Sequence, residues 1–368
     1  MTTDIDYLHL AIELAANGQY SCQPNPMVGC VLVKDDVIIG KGWHSIAGQG
    51  HAEVVALQDA QQRGYEVNGA TAYVSLEPCS HHGKTPPCVD ALIEAKIAKV
   101  VCATTDPNPK VSGQGLARLI EAGVPASVIE CQQTQQSANH LNRAFFHRMR
   151  TGKPYVMLKV ATTLDGRTAD YKGISQWITG TVARQNVQYL RASSGAVLTG
   201  SGTQIADDPS LNVRVDDVER QPYRVLLDTQ LQLKSNAKII GDDKKLIVYT
   251  AETNNEKLAK LSDHIHSFRQ LESTDLINVI DDLAQLEINQ VMIEAGATLS
   301  GAFLAANLVD EIVHFLAASV LGDQARAAFN LPNALLLENK KQFNVYSCEL
   351  LGDDIKIVFL RNSFKKLV

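Results

Sequence analysis

The chain has 368 residues, more than one hydrophobic core ordinarily supports, so two domains are expected. Its formal net charge of -6 argues against nucleic-acid binding, which needs concentrated Lys and Arg to neutralise phosphates, but allows a local basic pocket for one small phosphate. A hydrophobic share of 45% with no apolar run as long as the roughly 18 residues of a membrane span describes an ordinary soluble protein.

Asp4 and Asp6 are candidate caps of a first helix in which Leu8, Ile12 and Ala15 recur at helical spacing, with Gly18 as its stop. MVGCVLV (27–33) and VIIGKG (37–42) flank KDD and predict a hairpin. A helix is expected from about His51 to Gln62, a strand over 70–76, a helix over 88–97, a strand over 99–105, a helix over 115–123 and an extended stretch over 126–130. The polar, helical stretch 132–152 leads to Lys153-Pro154, and the domains are placed at 1–150 and 151–368. Beyond it, strands at PYVMLKV, GAVLTG, YRVLLD, KLIVYT, QVMIEAG and EIVHFLA alternate with helices near 181–193, 276–286 and 298–307. That alternation predicts a mostly parallel sheet with helical crossovers. The N-terminal stretch lacks the basic segment of a signal peptide, and the seven cysteines are odd in number and sparse. A reducing cytoplasm is therefore expected rather than a disulfide framework.

The chemistry concentrates in GHAEVVAL (50–57) and LEPCSHHGKTPPC (76–88). Helical residues two apart point about 200° away from each other, so His51 and Glu53 share a site only if they occupy the first turn, around an object off the helix end. Cys88 follows Pro86-Pro87 at the start of the next predicted helix, and Cys79 follows a strand. One His nitrogen and two thiolates make three ligands and leave a fourth tetrahedral position open, as in catalytic zinc sites. A structural zinc remains the alternative, with His81 or His82 as fourth ligand. Glu53 then has the place of an acid–base group that is not a ligand. H-x-E with P-C-x-x-C is the zinc nucleobase deaminase pattern. Here the second Cys comes nine positions after the first, which departs from ordinary cytidine and tRNA deaminases.

In the second half, TGSGTQI (199–205) lacks the third glycine of a dinucleotide fingerprint, because Ile205 stands there. EAGATLSGAFL (294–304) reads as a strand, a glycine turn and a helix start, able to hold a cofactor phosphate on backbone N–H groups. Its bland reading is a packing turn.

PNPMVGCVLV, GWHSIAGQGHAEVVAL, EPCSHHGKTPPC and DPNPKVSGQG in the first half resemble the bifunctional deaminase–reductase family of riboflavin biosynthesis. KVATTLDGRTA, SQWITG, QYLRASSGAVLTGSGTQIADDPSLNVR and MIEAGATLSGAFL carry the resemblance through the second half. It implies an α/β chain with a cytidine-deaminase-like three-layer domain and a dihydrofolate-reductase-like domain. The first would deaminate 2,5-diamino-6-(5-phosphoribosylamino)pyrimidin-4(3H)-one and the second would reduce its ribosyl group to ribityl with NADPH. It further implies zinc on His51, Cys79 and Cys88, with Glu53 as proton shuttle. A pyrimidine and phosphate pocket would be lined by Asn25, His44, Lys84, Asp106 and Asn108. In the reductase it implies substrate contacts from Ser175, Arg191, Leu211, Arg214 and Glu294. NADPH contacts would come from Ala161, Trp177, Thr203, Asp207 and Thr229, and from Gly296, Ala297, Thr298, Leu299, Ser300, Gly301 and Ala302. Arg191 and Arg214 have the fork geometry for a phosphate. A homo-oligomer, dimer or tetramer, is expected. The alternatives are a deaminase whose second domain has no catalysis, and a non-catalytic zinc module.

Overall fold

A computed structural model describes residues 3–80, 86–109, 111–270, 275–333 and 335–362. The chain divides into two compact units, one running to Lys153 and the other starting at Pro154.

In the first unit, helix α1 (Asp4–Ala16) is capped by Thr3 and not by either aspartate. Thr3 Oγ1 accepts from the Asp6 N–H, and the Asp6 carboxylate accepts from the Thr3 N–H, a capping box. Strands β1 (Gly29–Lys34) and β2 (Val37–Trp43) form the expected hairpin. Its turn places Asp35 and Asp36 at φ 50° and 61°, a conformation Asp tolerates better than most residues. Helix α2 (Ala52–Gln62), strand β3 (Thr71–Val74), helix α3 (Cys88–Glu94), strand β4 (Lys99–Cys102), helix α4 (Gln114–Glu121) and strand β5 (Ala126–Val128) follow. The sheet runs β2-β1-β3-β4-β5, antiparallel at β1 and parallel from β3 to β5.

Both faces of this sheet are covered. Ala52, Ala56, Val89, Leu92 and Leu119 of α2, α3 and α4 pack on one side against Leu32, Val74 and Val100. Leu8 and Ala11 of α1 and Ala138 pack on the other against Val31, Tyr73 and Val101. Helix α2 lies unusually close, because a Cβ at Gly42 would sit 2.3 Å from the Ala52 carbonyl oxygen. Small residues on both surfaces thus fix where the first turn of α2 stands. The stretch expected as one helix is two, α5 (Gln132–Leu141) and α6 (Arg143–Thr151). The break falls at the buried Asn142, whose amide accepts from the Met27 N–H and donates to the Met27 carbonyl, both at 2.8 Å.

The second unit contains β6 (Tyr155–Thr163), β7 (Arg167–Ala169), α7 (Thr181–Ala192), β8 (Ala196–Gly200), α8 (Ser201–Asp207), β9 (Tyr223–Leu227), β10 (Leu246–Thr250) and α9 (Asn255–Ser262). It continues with β11 (Ser267–Gln270), α10 (Leu276–Gln285), β12 (Gln290–Ile293), α11 (Ala297–Ala305), β13 (Glu311–Ala317), β14 (Arg326–Ala327), β15 (Phe343–Leu351) and β16 (Asp354–Arg361). The main sheet runs β11-β10-β9-β8-β12-β6-β13-β16-β15, and β14 pairs with β7 separately. Its pairings are parallel from β11 to β13, and only the β13–β16 and β16–β15 pairings are antiparallel. The hairpin β15–β16 was not anticipated. Its pattern is blurred by a register shift between Val345 and Ser347 and by a half-exposed surface. Asp354, at the start of β16, accepts a 2.7 Å bond from the Gly180 N–H and so caps α7 from 174 residues away.

Candidate active sites

The first site forms where two helices begin. His51 is the residue before α2, Glu53 lies in its first turn, and Cys88 is the first residue of α3. His51 Nδ1 stands 3.0 Å from Cys88 Sγ and 3.5 Å from Cys79 Sγ, and the two sulfurs are 3.4 Å apart. All three atoms lie within 4.8 Å of one another, a spacing one metal ion can bridge. The Cys88 backbone N–H also points at Cys79 Sγ, at 3.3 Å. Hydrogen bonding from Cys88, together with His51 and against the opposing effect of burial, holds the Cys79 thiol well below its usual value.

Glu53 is buried, and its Oε2 has no hydrogen-bond partner among the described residues. Burial, reinforced by the neighbouring Cys79, pushes its carboxyl up from the usual range. A buried orphan acceptor beside two thiols and an imidazole is what a soft-metal site with an adjacent proton carrier requires, so these residues fit zinc.

Two chains of contact lead away from these donors. In one, the His44 ring packs edge-on to that of His51 at 5.0 Å between centroids. His44 Nδ1 lies 3.2 Å from the Gly50 carbonyl and its Nε2 lies 3.0 Å from Asn25 Nδ2. A carbonyl can only accept, so Nδ1 carries the proton and Nε2 accepts from the Asn25 amide. Burial lowers the His44 pKa and keeps that neutral tautomer. In the other chain, Glu77 accepts the backbone N–H of Asp106, and the Asp106 carboxylate accepts that of Asn108. Burial, opposed by the Asn108 hydrogen bond, pushes the Asp106 carboxyl up to about 6. Lys84, His81 and His82 lie outside the described residues. Glu77 escaped the sequence reading, although a carboxylate directly before Pro78-Cys79 was available as a signal.

In the second unit Ala161, Thr229 and Glu294 stand at the carboxyl ends of parallel strands, where α/β sheets bind ligands, while Ser175, Trp177, Leu211 and Arg214 lie on loops and Arg191 on α7. Ala161 lies near the end of β6, Thr229 just beyond β9 and Glu294 just beyond β12. The adjacent strands β8 and β12 each run through a glycine into a helix, Gly200 into α8 and Gly296 into α11. Thr203 Oγ1 accepts the Gly296 N–H at 3.1 Å and joins the two turns. TGSGTQI is therefore a strand–helix turn, even without the fingerprint. Gly296, the residue before α11, has no side chain to cap the helix, and beyond the Thr203 bond to its own N–H the first-turn N–H groups that follow fit an anionic cofactor group. Ser300 and Gly301 are buried, and a Cβ on Gly301 would sit 2.0 Å from the Asn330 carbonyl oxygen. These two lie about one turn into the helix, whereas Gly296 to Leu299 occupy its start.

Arg191 makes two parallel bonds to Glu294, and its Nη1 donates to the Asn212 carbonyl at 3.1 Å. Lys159, a lone lysine inside an apolar strand, sits 3.6 Å from Glu294. It too was missed, although the polar intruder in YVMLKVATT is visible. Burial would raise the Glu294 carboxyl, but Arg191 and Lys159 override it and hold the group at about 2. Arg214 keeps a more open place, with Nη1 donating to Ser210 and Asn212. Ser175 Oγ reaches Asp207 at 3.5 Å, and Arg184 stacks on the exposed Trp177. Leu211 is buried in the core at φ 50°.

Comparison with known proteins places these observations. Residues 154–357 match the family described as RibD C-terminal domain, and residues 1–104 match the cytidine and deoxycytidylate deaminase zinc-binding region. The chain is 43% identical to the riboflavin biosynthesis protein RibD of Haemophilus influenzae, covering 97% of each. It is 42% identical to that of Escherichia coli, over 95% of this chain and 97% of the other. A solved structure of Acinetobacter baumannii RibD superposes with a TM-score of 0.88 at 44% identity, over 97% of this chain and 98% of that one. Another, the Thermotoga maritima diaminohydroxyphosphoribosylaminopyrimidine deaminase/5-amino-6-(5-phosphoribosylamino)uracil reductase, gives 0.87 at 32% identity, over 97% and 98%.

Proposed function

The chain belongs to the RibD family of bifunctional riboflavin-biosynthesis enzymes, and from that premise we propose how its residues divide the two reactions. It is a zinc-dependent deaminase and an NADPH-dependent reductase acting on a small phosphorylated pyrimidine. The reading of the second domain as non-catalytic is set aside by its match to the RibD reductase family.

His51 Nδ1, Cys79 Sγ and Cys88 Sγ are the zinc ligands, and the substrate is 2,5-diamino-6-(5-phosphoribosylamino)pyrimidin-4(3H)-one. Bound zinc supplies Lewis-acid activation of the attacking water. Glu53 takes one proton from that water and gives it to a ring nitrogen, then carries the proton of the added hydroxyl to the departing amine, which leaves as ammonia while the carbonyl forms. Its raised pKa suits a group that must both accept and return a proton. Asn25 and the neutral His44 orient the pyrimidine, and Lys84, Asp106 and Asn108 complete the pocket. The single observation that carries this assignment is the buried, unpartnered Glu53 Oε2 beside three convergent donors.

In the second unit the start of α11, with Ala161, Trp177, Thr203, Asp207 and Thr229, holds NADPH, which supplies the hydride. Ser175, Leu211 and Arg214 contact the substrate, with the phosphate on Arg214, while Arg191 and Glu294 form the wall against which the ribosyl chain lies. Positioning carries most of the protein's share in hydride transfer.

No helix among the described residues is long and apolar enough to cross a membrane. A cytoplasmic location is our reading, supported by seven free cysteines. Homo-oligomerisation is also our reading, supported by the exposed Val345, Tyr346 and Leu350 on the edge strand β15. The deciding experiment incubates the enzyme with the diaminopyrimidinone phosphate, with and without NADPH, and follows product masses. Ammonia release without NADPH, then reduction on its addition, is expected. Reduction without prior or concurrent deamination would overturn the assigned order.

A further inference from the structure

The buried Glu77 carboxylate sits between the zinc-ligand loop and the loop that carries Asp106 and Asn108. Its Oε1 accepts the backbone N–H groups of Gly115 at 3.0 Å and Leu116 at 3.4 Å. Its Oε2 accepts those of Asp106 at 3.2 Å and Gly113 at 3.0 Å. Both oxygens are thus committed to four donors, Asp106 and Gly113 from the loop before α4 and Gly115 and Leu116 from its first turn. Helix α4 has Gly113 at its cap position and no side-chain cap of its own, so Glu77 satisfies the donors of its first turn from a distance. The same helix start is pressed onto Pro78, since a Cβ at Gly115 would lie 2.0 Å from the Pro78 carbonyl oxygen. Farther along α4, Arg118 donates to the Ser80 carbonyl and pairs with Asp90 of α3. Residues on both sides of Cys79 are therefore bound to α4, and Asp106 is bound to the same carboxylate.

We propose that Glu77 is a positioning residue for substrate recognition in the deaminase, fixing the Asp106–Asn108 turn at a set distance from the zinc-ligand loop. This rests on the reading of Asp106 and Asn108 as pocket residues. Glu77 touches neither zinc ligand side chains nor substrate; it acts through the backbone of the turn. A glutamine there replaces one acceptor oxygen by an NH2 group, which faces N–H donors and cannot accept from them.

The test compares Glu77→Gln, Glu77→Asp, Asn108→Ala and the Glu77→Gln/Asn108→Ala double variant in the full-length enzyme. For Glu77→Gln the expected result is a KM for deamination raised about tenfold, a kcat within about threefold, and zinc retained at the wild-type stoichiometry. Reduction of pre-deaminated substrate stays unchanged, and amide exchange quickens at Asp106, Gly113, Gly115 and Leu116. Glu77→Asp keeps the charge but withdraws the oxygens by one methylene, so it gives a smaller KM rise in the same direction and serves if the glutamine variant folds poorly. Because Glu77 acts through the turn that carries Asn108, the KM rise in the double variant is smaller than the product of the two single rises. An unchanged KM in Glu77→Gln, loss of zinc, or additive effects in the double variant overturns the inference. An unchanged KM in Asn108→Ala is a separate outcome: it removes the pocket reading and this inference with it.

Discussion

Arg191 and Glu294 face each other through two parallel hydrogen bonds of 2.9 Å, Nε to Oε2 and Nη2 to Oε1, in a largely buried setting. Removing one member of such a pair strands the other, which typically costs about 3–5 kcal/mol. Arg191→Leu is therefore expected to lower the melting temperature of the second unit and abolish reduction, while ammonia release continues. Differential scanning calorimetry and the two separate assays check this; an unaltered melting profile would contradict the burial argument.

The same pair sets an acid limb of stability. The folded-state pKa of Glu294 is depressed to about 2 from the ordinary 4.5. A depressed carboxylate contributes stability above its unfolded pKa, and that contribution fades as pH falls from 4.5 towards 2. Denaturant unfolding of wild type and Glu294→Gln should differ most near neutrality and converge across this acid window. A gap that widens on acidification would reverse the assigned sign.

Glu53→Gln keeps the shape of the side chain but removes the proton carrier. We expect a fall in deamination of at least about a hundredfold, with zinc content unchanged. NADPH oxidation with the deaminated intermediate supplied directly should proceed as in wild type. Zinc analysis by atomic absorption, alongside ammonia release, separates a lost shuttle from a lost metal.

Asn142→Ala removes both amide bonds to Met27 and leaves a part-buried N–H and carbonyl without them. The expected destabilisation is about 2 kcal/mol. Since Met27 lies two residues from Asn25, the KM for deamination should rise as well. Thermal unfolding and initial-rate kinetics measure the two effects, and a stability loss with no change in KM would confine Asn142 to a structural part.

Much of this was legible in the sequence because local rules and tertiary packing agreed. His51, Glu53 and Cys88 follow chain breaks that start helices, and three of the first unit's strands are apolar runs ended by turn residues. What escaped depends on partners distant in sequence. Asn142 splits a polar stretch that reads as one helix because it bonds to Met27, 115 residues away. Glu77 has no periodicity to reveal it, as its partners are backbone groups 29 to 39 positions later. Strands β15 and β16 were hidden because their surfaces are half exposed and their alternation slips at Val345. In the 296–302 stretch the sequence reading treated seven neighbours alike. The structure separates their surroundings, with Gly301 held against Asn330 and Gly296 at the helix start beside Thr203.

The cap that Asp354 places on α7 has a consequence for the order of synthesis. The first unit can close its sheet once the residues up to Val128 have left the ribosome. In the second, β6 emerges first yet lies between β12 and β13, and the Gly180 N–H waits for a carboxylate translated 174 residues later. Long-range closures of this kind are slow and come late. The deaminase half is thus ready while its covalent neighbour is still an incomplete sheet with an unpaired edge. Nascent-chain proteolysis of arrested lengths would see the halves mature at different times.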